Sequence, residues 1–382
     1  METNANNSTK IRFAYLDNVR SLVIFLVVAM HSAVTYSGDG GWYYKEGISG
    51  TLPVLETIVF GLFQSFLQAW FMGALFFISA FLATKSLKKR GSIQFLKERF
   101  FRLGIPLLLY IFLIAPFIYF VLLKGENWNA MMNDYVHYLT NFNWLIGSTG
   151  PLWFVEILLL FCILYVVIRK FFPKRETIHT FNTKNIISAI IITGIVAFLI
   201  RLLFPLGTSF FNLQFGYFSS YIALFVVGII IGENNLLESI TREQNIKWMK
   251  ITFIAGTIVW FAVMILGGAA EGNRSFNGGL YWQSFAFAFW EAFVAIGFSI
   301  GIITFFRKRL NINNKFTGII ADNSFGIYFF HAPILIAISL LLKQWIVNPV
   351  LKFMEVTIIA FIVTLIFSYL VRKIKFIRAL LK

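Results

Sequence analysis

Two ionisable side chains, Arg20 and His31, lie in a stretch that is otherwise typical of a membrane span, RSLVIFLVVAMHSAV. Ionisable groups inside a bilayer are costly, so they are candidates for function. Eleven helical steps of about 100° return to nearly the same face, and a rise of about 1.5 Å per residue separates the two by roughly 16 Å. Asp17 can pair with Arg20 three residues later. His31 could be a general base, since imidazole titrates near neutrality. The alternative is structural: an interfacial ion pair and a histidine bonded to a carbonyl.

The composition is that of an integral membrane protein. The chain has 382 residues, of which 58% are hydrophobic and 13% charged, whereas soluble domains carry about 25% charged residues. Several apolar runs approach or exceed the roughly 20 residues that cross a bilayer. We predict a single all-α domain over residues 1–382, with an N-terminal segment 1–16, a ten-span transmembrane bundle 17–371 and a basic tail 372–382. The predicted spans are 17–37, 54–84, 103–123, 151–171, 185–204, 214–232, 248–266, 280–306, 324–343 and 350–371.

The distribution of the basic residues predicts the orientation. If the N-terminus is inside, most of the 33 lysines and arginines fall in cytoplasmic connections, as the positive-inside rule requires. We therefore expect both termini to be cytoplasmic, in a multi-pass protein of the bacterial cytoplasmic membrane. The net charge of +16 could also suit nucleic acid. The cations lie in short connections beside apolar runs, so we expect membrane lipids and no nucleic acid as partners.

One connection, KSLKKRGSIQFLKERFFRLGIP, concentrates seven cations between Lys85 and Arg102, with Arg90 and Arg99 among them. Such a cluster could bind the phosphates of a nucleotide-bearing co-substrate. The alternative is a topology signal that contacts anionic lipids.

The fourth predicted span opens with GPLWFVE at 150–156. Trp153 is ordinary at a membrane interface, whereas Glu156 needs a partner or a wet cavity. Glu291 and Arg201 are further buried-charge candidates, with no motif to assign them roles. The predicted outer loops are rich in Gly, Asn, Trp and Tyr, which suits a carbohydrate-like acceptor; an interfacial aromatic belt is the alternative.

The ninth predicted span carries DNSFGIYFFHAPIL at 322–335. We expect Asp322 or Asn323 to cap this helix, with His331 about two turns in and Pro333 loosening the backbone beside it. His331 is a candidate functional residue, and a purely structural polar bridge between helices is the alternative.

The histidines do not predict a metal site. His137 and His179 are expected on opposite sides of the membrane, and His31 with His331 alone would make a poor site. The sequence also contains no Walker-type glycine loop and no G-x-S-x-G elbow. We therefore expect neither a metal nor a permanently bound cofactor.

Taken together, these strings resemble the integral-membrane acyltransferase-3 family, which includes surface-polysaccharide and glucan O-acyltransferases. The most specific element is Arg20, ten intervening residues and His31, preceded by LDNV. FFISAFLATKSLKKRG running into FLKERFFRLGIPLLL, then PLWFVEILLLF and NSFGIYFFHAPIL, complete the pattern in order. One departure is Ala80, where the family often has Gly.

The resemblance implies about ten transmembrane helices, an acyl-CoA donor bound from the cytoplasm, and transfer of the acyl group to a hydroxyl outside. The acceptor would be a carbohydrate or glycolipid, and acetyl-CoA is the expected co-substrate, ahead of a succinyl donor. His31 matches the family's proposed catalytic histidine and Arg20 its paired basic residue. Arg99 and Arg102 match the cytoplasmic arginines proposed to meet the donor.

These considerations give a candidate set of residues. The catalytic candidates are His31, Arg20 and Asp17; the donor-binding candidates are Arg90, Arg99, Arg102 and Ser79; the supporting candidates are Trp153, Glu156 and His331. Direct transfer and an acyl-histidine intermediate both remain open. A carrier or flippase for a glycan or lipid-linked intermediate is the alternative function, and a sensor or assembly subunit is a third.

Overall fold

The computed structural model describes residues 13–142, 144, 148–173 and 178–381. Within them, ten helices are long and apolar enough to cross a membrane. The ten are Ala14–Ser37, Val54–Arg90, Ser92–Leu123, Gly150–Phe171, Thr183–Leu203, Phe215–Glu233, Glu243–Leu266, Trp282–Arg309, Lys315–Leu341 and Pro349–Val371. The predicted all-α bundle of about ten spans is confirmed. Residues 1–12 of the predicted N-terminal segment and Lys382 of the predicted tail lie outside the described residues, as do 143 and 145–147 in the predicted outer loop.

Successive spans alternate in direction, so the first span begins on the same side of the bundle as the last one ends. We call this side the terminal face and the opposite side the loop face. The first span packs against the second, eighth, ninth and tenth spans. It therefore lies at the centre of the bundle, and its two ends face opposite sides.

The second and sixth spans approach closely because the sixth presents two glycines four residues apart. A Cβ at Gly228 would lie 2.5 Å from the Phe77 carbonyl oxygen, and one at Gly232 would lie 2.2 Å from Thr84 Oγ1. Small residues at this spacing allow helix backbones to pack tightly in membranes. This contact fixes one wall of the space beside the first span.

The third helix begins eleven residues earlier than the predicted limit of 103. It runs from Ser92 to Leu123 and contains π-helical turns at Phe100–Gly104, Tyr110–Ile114 and Phe117–Leu123. Pro106 and Pro116 lie within this run, and prolines disturb the regular helical hydrogen bonds around them. The cationic sequence before residue 103 is therefore helical, and Arg99 and Arg102 are carried on the helix itself.

The ninth helix corrects a sequence-based prediction. It begins at Lys315, where Asn314 accepts a hydrogen bond from the Thr317 backbone N–H and Thr317 closes a capping box. The prediction that Asp322 or Asn323 caps this span is wrong, because Asn314 and Thr317 already satisfy the first turn. His331 consequently lies sixteen residues into the helix, more than four turns at about 3.6 residues per turn, instead of two.

On the loop face, the segment after the first span folds back over its end. Gly38 adopts a φ of +76°, and the backbone N–H groups of Glu46 and Gly47 both donate to the Thr35 carbonyl, at 2.8 and 3.0 Å. Glu46 also forms an ion pair with Lys352 of the tenth span. These contacts hold segment 38–53 in place over the first span.

Candidate active site

A cavity of about 680 Å³ opens at the loop face. The first, second, third, fourth, sixth, eighth and ninth spans all contribute to it. Its lining combines aromatic rings with side-chain amides, including Trp42, Trp153, Tyr217, Gln64, Gln68 and Asn212. We call it the loop-face cavity.

His31 lines this cavity, six residues before the end of the first span. Its Nδ1 is 2.9 Å from Nε2 of His331, which is fully buried. His331 Nδ1 in turn lies 2.7 Å from the carbonyl oxygen of Tyr328. Two histidines that are 300 residues apart in sequence thus form a hydrogen-bonded pair at the cavity wall.

Trp42 covers one face of the His31 ring. The two ring centroids are 4.0 Å apart and the planes differ by 10°. Trp42 belongs to the folded-back segment 38–53, so the backbone bonds to Thr35 and the Glu46–Lys352 ion pair hold the indole there. The imidazole is therefore fixed in plane by a stacked ring on one side and by a hydrogen bond at one nitrogen.

Tyrosines close the wall beyond the histidine pair. The Tyr43 and Tyr110 hydroxyls are 3.2 Å apart, and Tyr328 donates from its hydroxyl to the Pro151 carbonyl. Burial raises the pKa of Tyr43, so its phenol remains neutral and serves as a hydrogen-bonding group. The hydrogen bond from Tyr328 to Pro151 links the ninth span to the start of the fourth, where Trp153 faces the cavity.

A buried ion pair lies behind another part of the wall. Arg201 of the fifth span binds Glu291 of the eighth, and both side chains are almost completely buried. Glu291 also accepts from Ser220 at 3.1 Å and lines the loop-face cavity, while Arg201 Nε donates to the Gly216 carbonyl at 3.1 Å. The two charges that the sequence left without a role are thus partners of each other.

A second cavity, of about 660 Å³, lies at the terminal face. Its lining includes five cations and one carboxylate: Arg90, Lys97, Arg102, Lys375, Arg378 and Glu98. We call it the terminal-face cavity. Glu98 is engaged by Arg90, so the site keeps a strong excess of positive charge. Arginine and lysine clusters of this kind bind phosphate groups.

Arg20 lies near this cationic region, at the terminal end of the first span. It pairs with Asp17 at 3.2 Å and donates to the Ala321 carbonyl at 3.3 Å. The positive charges of Arg99, Arg20 and Arg90 act on Arg102, which brings four arginines from three helices into one electrostatic neighbourhood. His31 is roughly 16 Å further along the same helix.

The structure brings the predicted site residues into two groups. His31 and Trp153 line the loop-face cavity, with His331 buried behind His31, whereas Arg90 and Arg102 line the terminal-face cavity. Six candidates line neither cavity: Asp17, Arg20, Ser79, Arg99, Glu156 and His331. Ser79 is half-buried in the second span, Arg99 covers the Phe95 ring at 5.1 Å, and Glu156 bonds Thr149 and keeps a buried Oε2 without a partner among the described residues.

Sequence reasoning missed three residues at these sites. Trp42 was one aromatic among many in a predicted loop, and only the fold-back of segment 38–53 brings it to His31. Lys375 and Arg378 lie in the short helix Lys375–Leu380 after the last span, where basic residues were assigned to the tail. The described residues contain no group of three His, Cys, Asp or Glu side chains placed to hold a metal ion.

The bundle is that of a multi-pass membrane protein, with a separate cavity on each of its two faces. A family model described as an acyltransferase domain, that of the acyltransferase-3 family, matches residues 13–373. The chain therefore belongs to the acyltransferase-3 family and is a membrane acyltransferase. No curated protein and no solved structure matches it.

Proposed function

We propose that this protein transfers an acyl group, acetyl in the first instance, from acyl-CoA at the terminal face to a hydroxyl of a carbohydrate or glycolipid acceptor at the loop face. The observation that carries the proposal is the position of His31. It lines the loop-face cavity on the same helix whose other end carries Arg20 beside the cationic region. We infer that the terminal face is cytoplasmic, since most basic residues fall on that side.

The terminal-face cavity supports a donor with several phosphates. Arg90 and Arg102 come from the second and third spans, and Lys375 and Arg378 from the C-terminal helix, so an anion between them would be bound from several directions. Like charges held close together repel one another, and a phosphate-bearing ligand would relieve that repulsion. The donor would be guided from this cavity toward the first span by Arg20 and Arg99, with the Asp17 carboxylate holding Arg20 in place.

The loop-face cavity supports an uncharged, hydroxyl-rich acceptor. Aromatic rings present flat apolar faces, and the amides of Gln64, Gln68 and Asn212 both donate and accept hydrogen bonds. Trp153 lies where it can stack on a sugar ring. Among the described lining residues the only lysine or arginine is Arg274, which is exposed, and this favours a neutral acetyl group over a dicarboxylic acyl group.

In the transfer step, His31 Nε2 takes the proton of the acceptor hydroxyl while the oxygen attacks the thioester carbonyl carbon. The carbon–sulfur bond then breaks, the acceptor becomes an ester, and the CoA sulfur receives the proton from His31. His31 Nδ1 is already bonded to His331, so Nε2 is the nitrogen left for the reaction. Ser79 is a secondary candidate for contact with the donor, and Glu156 is a supporting candidate on the acceptor side.

The test is thioester cleavage by the detergent-purified protein. Acetyl-CoA is supplied with a panel of neutral oligosaccharides, free CoA thiol is measured, and acetylated sugar is detected by mass spectrometry. We expect thiol release and sugar acetylation in the wild type and neither in His31→Ala. Acetylation at the same rate in both proteins would refute the role of His31. Absence of cleavage together with absence of a thermal shift from acetyl-CoA would refute the donor assignment.

A further inference from the structure

His331 has a definite hydrogen-bonding role, which follows from its two partners. Its Nδ1 lies 2.7 Å from the Tyr328 carbonyl oxygen, and its Nε2 lies 2.9 Å from His31 Nδ1. A carbonyl oxygen can only accept, so Nδ1 of His331 must carry the hydrogen. Among the described residues no carboxylate bonds either imidazole, and an unpaired buried charge is costly. The resting pair is therefore two neutral rings with one N–H each.

The hydrogen on His331 Nδ1 determines where the other hydrogen of the pair lies. Because Nδ1 of His331 donates, its Nε2 has a lone pair and accepts from His31. His31 must then carry its own hydrogen on Nδ1, which leaves a lone pair on Nε2. His31 lines the loop-face cavity, and its Nε2 has no partner within the described part of the chain. The Tyr328 carbonyl, through two rings, thus selects the form of His31 that can accept a proton from a substrate.

We infer that His331 is a positioning residue that fixes the tautomer of His31 and shares the proton which His31 receives. This inference rests on the proposed role of His31 as general base. When the acceptor hydroxyl gives its proton to His31 Nε2, the hydrogen on Nδ1 can move to Nε2 of His331. His331 is then the cation and donates from both nitrogens, to His31 and to Tyr328. The reverse shift returns that hydrogen, and His31 Nε2 releases its proton to the CoA sulfur.

The packing around the pair supports this role. The His31 and His331 ring centroids are 5.1 Å apart and the planes differ by only 15°, so the rings meet edge to edge through their hydrogen-bonded nitrogens, and Trp42 stacks on one face of His31. The planes cannot tilt without breaking these contacts, so the line between the two facing nitrogens is maintained. The face of an indole ring also attracts a neighbouring cation, which favours the protonated form of His31 during the reaction.

Two amide substitutions test the tautomer-fixing role because they differ only in reach. His331→Gln places its amide near the former Nε2, where its carbonyl oxygen can accept from His31. His331→Asn ends near the former Nδ1 and cannot reach. We expect His331→Asn to lower kcat by about 10²-fold, the lower end of the range for acid–base catalysis, with KM unchanged, while His331→Gln stays within about tenfold of wild type. Ser339→Ala is the control, since it removes another polar contact between the same two spans, that to Tyr36.

Nitrogen NMR with isotope-labelled histidine gives a readout that does not depend on activity. The chain has four histidines, so a background with His137→Gln and His179→Gln leaves only the pair. We expect a pyrrole-type Nδ1 and a pyridine-type Nε2 in His31, and a shift toward the Nε2–H form in His331→Asn. An Nε2–H form of His31 in the wild type, or equal loss of kcat in the Gln and Asn variants, overturns the inference. Neither result would alter the proposed acyl transfer, which fails only if His31→Ala retains activity or acetyl-CoA is not cleaved.

Discussion

The loop-face and terminal-face cavities enclose about 680 and 660 Å³. Aromatic rings and amides line the first, with exposed Arg274 its only lysine or arginine among the described lining residues. Five cations and one carboxylate line the second. Volume alone would not separate the two sites, whereas charge does. The cationic cavity suits a phosphate-rich donor and the aromatic cavity a neutral polyhydroxyl acceptor, and the first span connects the two regions.

The largest effect expected from any single substitution is at the point where the two substrates would meet. His31→Ala should lower kcat by about 10²–10⁴-fold, the usual loss on removing a general base. Acetyl-CoA affinity should remain, because the cationic cavity is intact. Steady-state kinetics together with a thermal-shift titration of acetyl-CoA measure both quantities. His137→Ala, which alters a histidine in the helix Trp128–Thr140, is the control and should behave as wild type.

The Arg201–Glu291 ion pair beside the loop-face cavity is expected to stabilise the fold and not to bind the donor. Glu291→Gln leaves Arg201 buried without its carboxylate, which should cost about 3–5 kcal/mol of stability. The thermal midpoint should fall, while acetyl-CoA affinity in the protein that stays folded should not change. The double variant Arg201→Met, Glu291→Leu should recover most of the stability, because it removes both charges. A Glu291→Gln variant as stable as the wild type would show that the ion pair contributes little to the stability of the protein.

Charge in the terminal-face cavity is expected to act on the ligand instead. Arg102→Gln and Arg378→Gln should each raise the KM for acetyl-CoA about ten- to hundredfold, the loss of a hydrogen bond to a charged group at about 1.5–3 kcal/mol. Lys373→Gln is the matched control, since it removes an equal charge from the tail outside the cavity lining. An equal rise of the KM in all three variants would indicate that the overall positive charge of this face, and not the cavity, attracts acetyl-CoA. No rise in any of them would reject this cavity as the donor site.

The smallest effect is expected on the aromatic wall of the loop-face cavity. Trp153→Ala should raise the acceptor KM about two- to tenfold, since an aromatic contact adds about 0.5–1.5 kcal/mol beyond the area that it buries. Trp153→Phe keeps a flat ring and should lose less. Both variants should leave the KM for acetyl-CoA unchanged. A change in the donor KM with a constant acceptor KM would reverse the assignment of the two cavities.

The sequence predicted the fold well because hydropathy is a local property. All ten spans were found, and the spacing of Arg20 and His31 predicted two side chains on one helix, roughly 16 Å apart. The start of the ninth span was missed because Asp322 and Asn323 resemble a cap, although Asn314 and Thr317 fill that role. Polar residues inside a membrane helix can thus imitate its boundary.

The contacts that complete the sites could not be predicted, because they depend on how distant helices pack. Nothing near His31 in sequence indicates that its partner is His331, and the pairing of Arg201 with Glu291 likewise joins different spans. Trp42 reaches His31 only because the loop folds back on Thr35. Pairing across the bundle is tertiary information that one sequence does not carry.

The assignment of the two cavities is tested most directly by cysteine protection. In a Cys162→Ala background, which removes the only native cysteine, Gln94→Cys reports on the terminal-face cavity and Ser209→Cys on the loop-face cavity. Each variant is labelled with a membrane-impermeant maleimide with and without acetyl-CoA. We predict that acetyl-CoA slows labelling of Gln94→Cys and leaves Ser209→Cys unaffected. Protection of Ser209→Cys with none at Gln94→Cys would contradict the account.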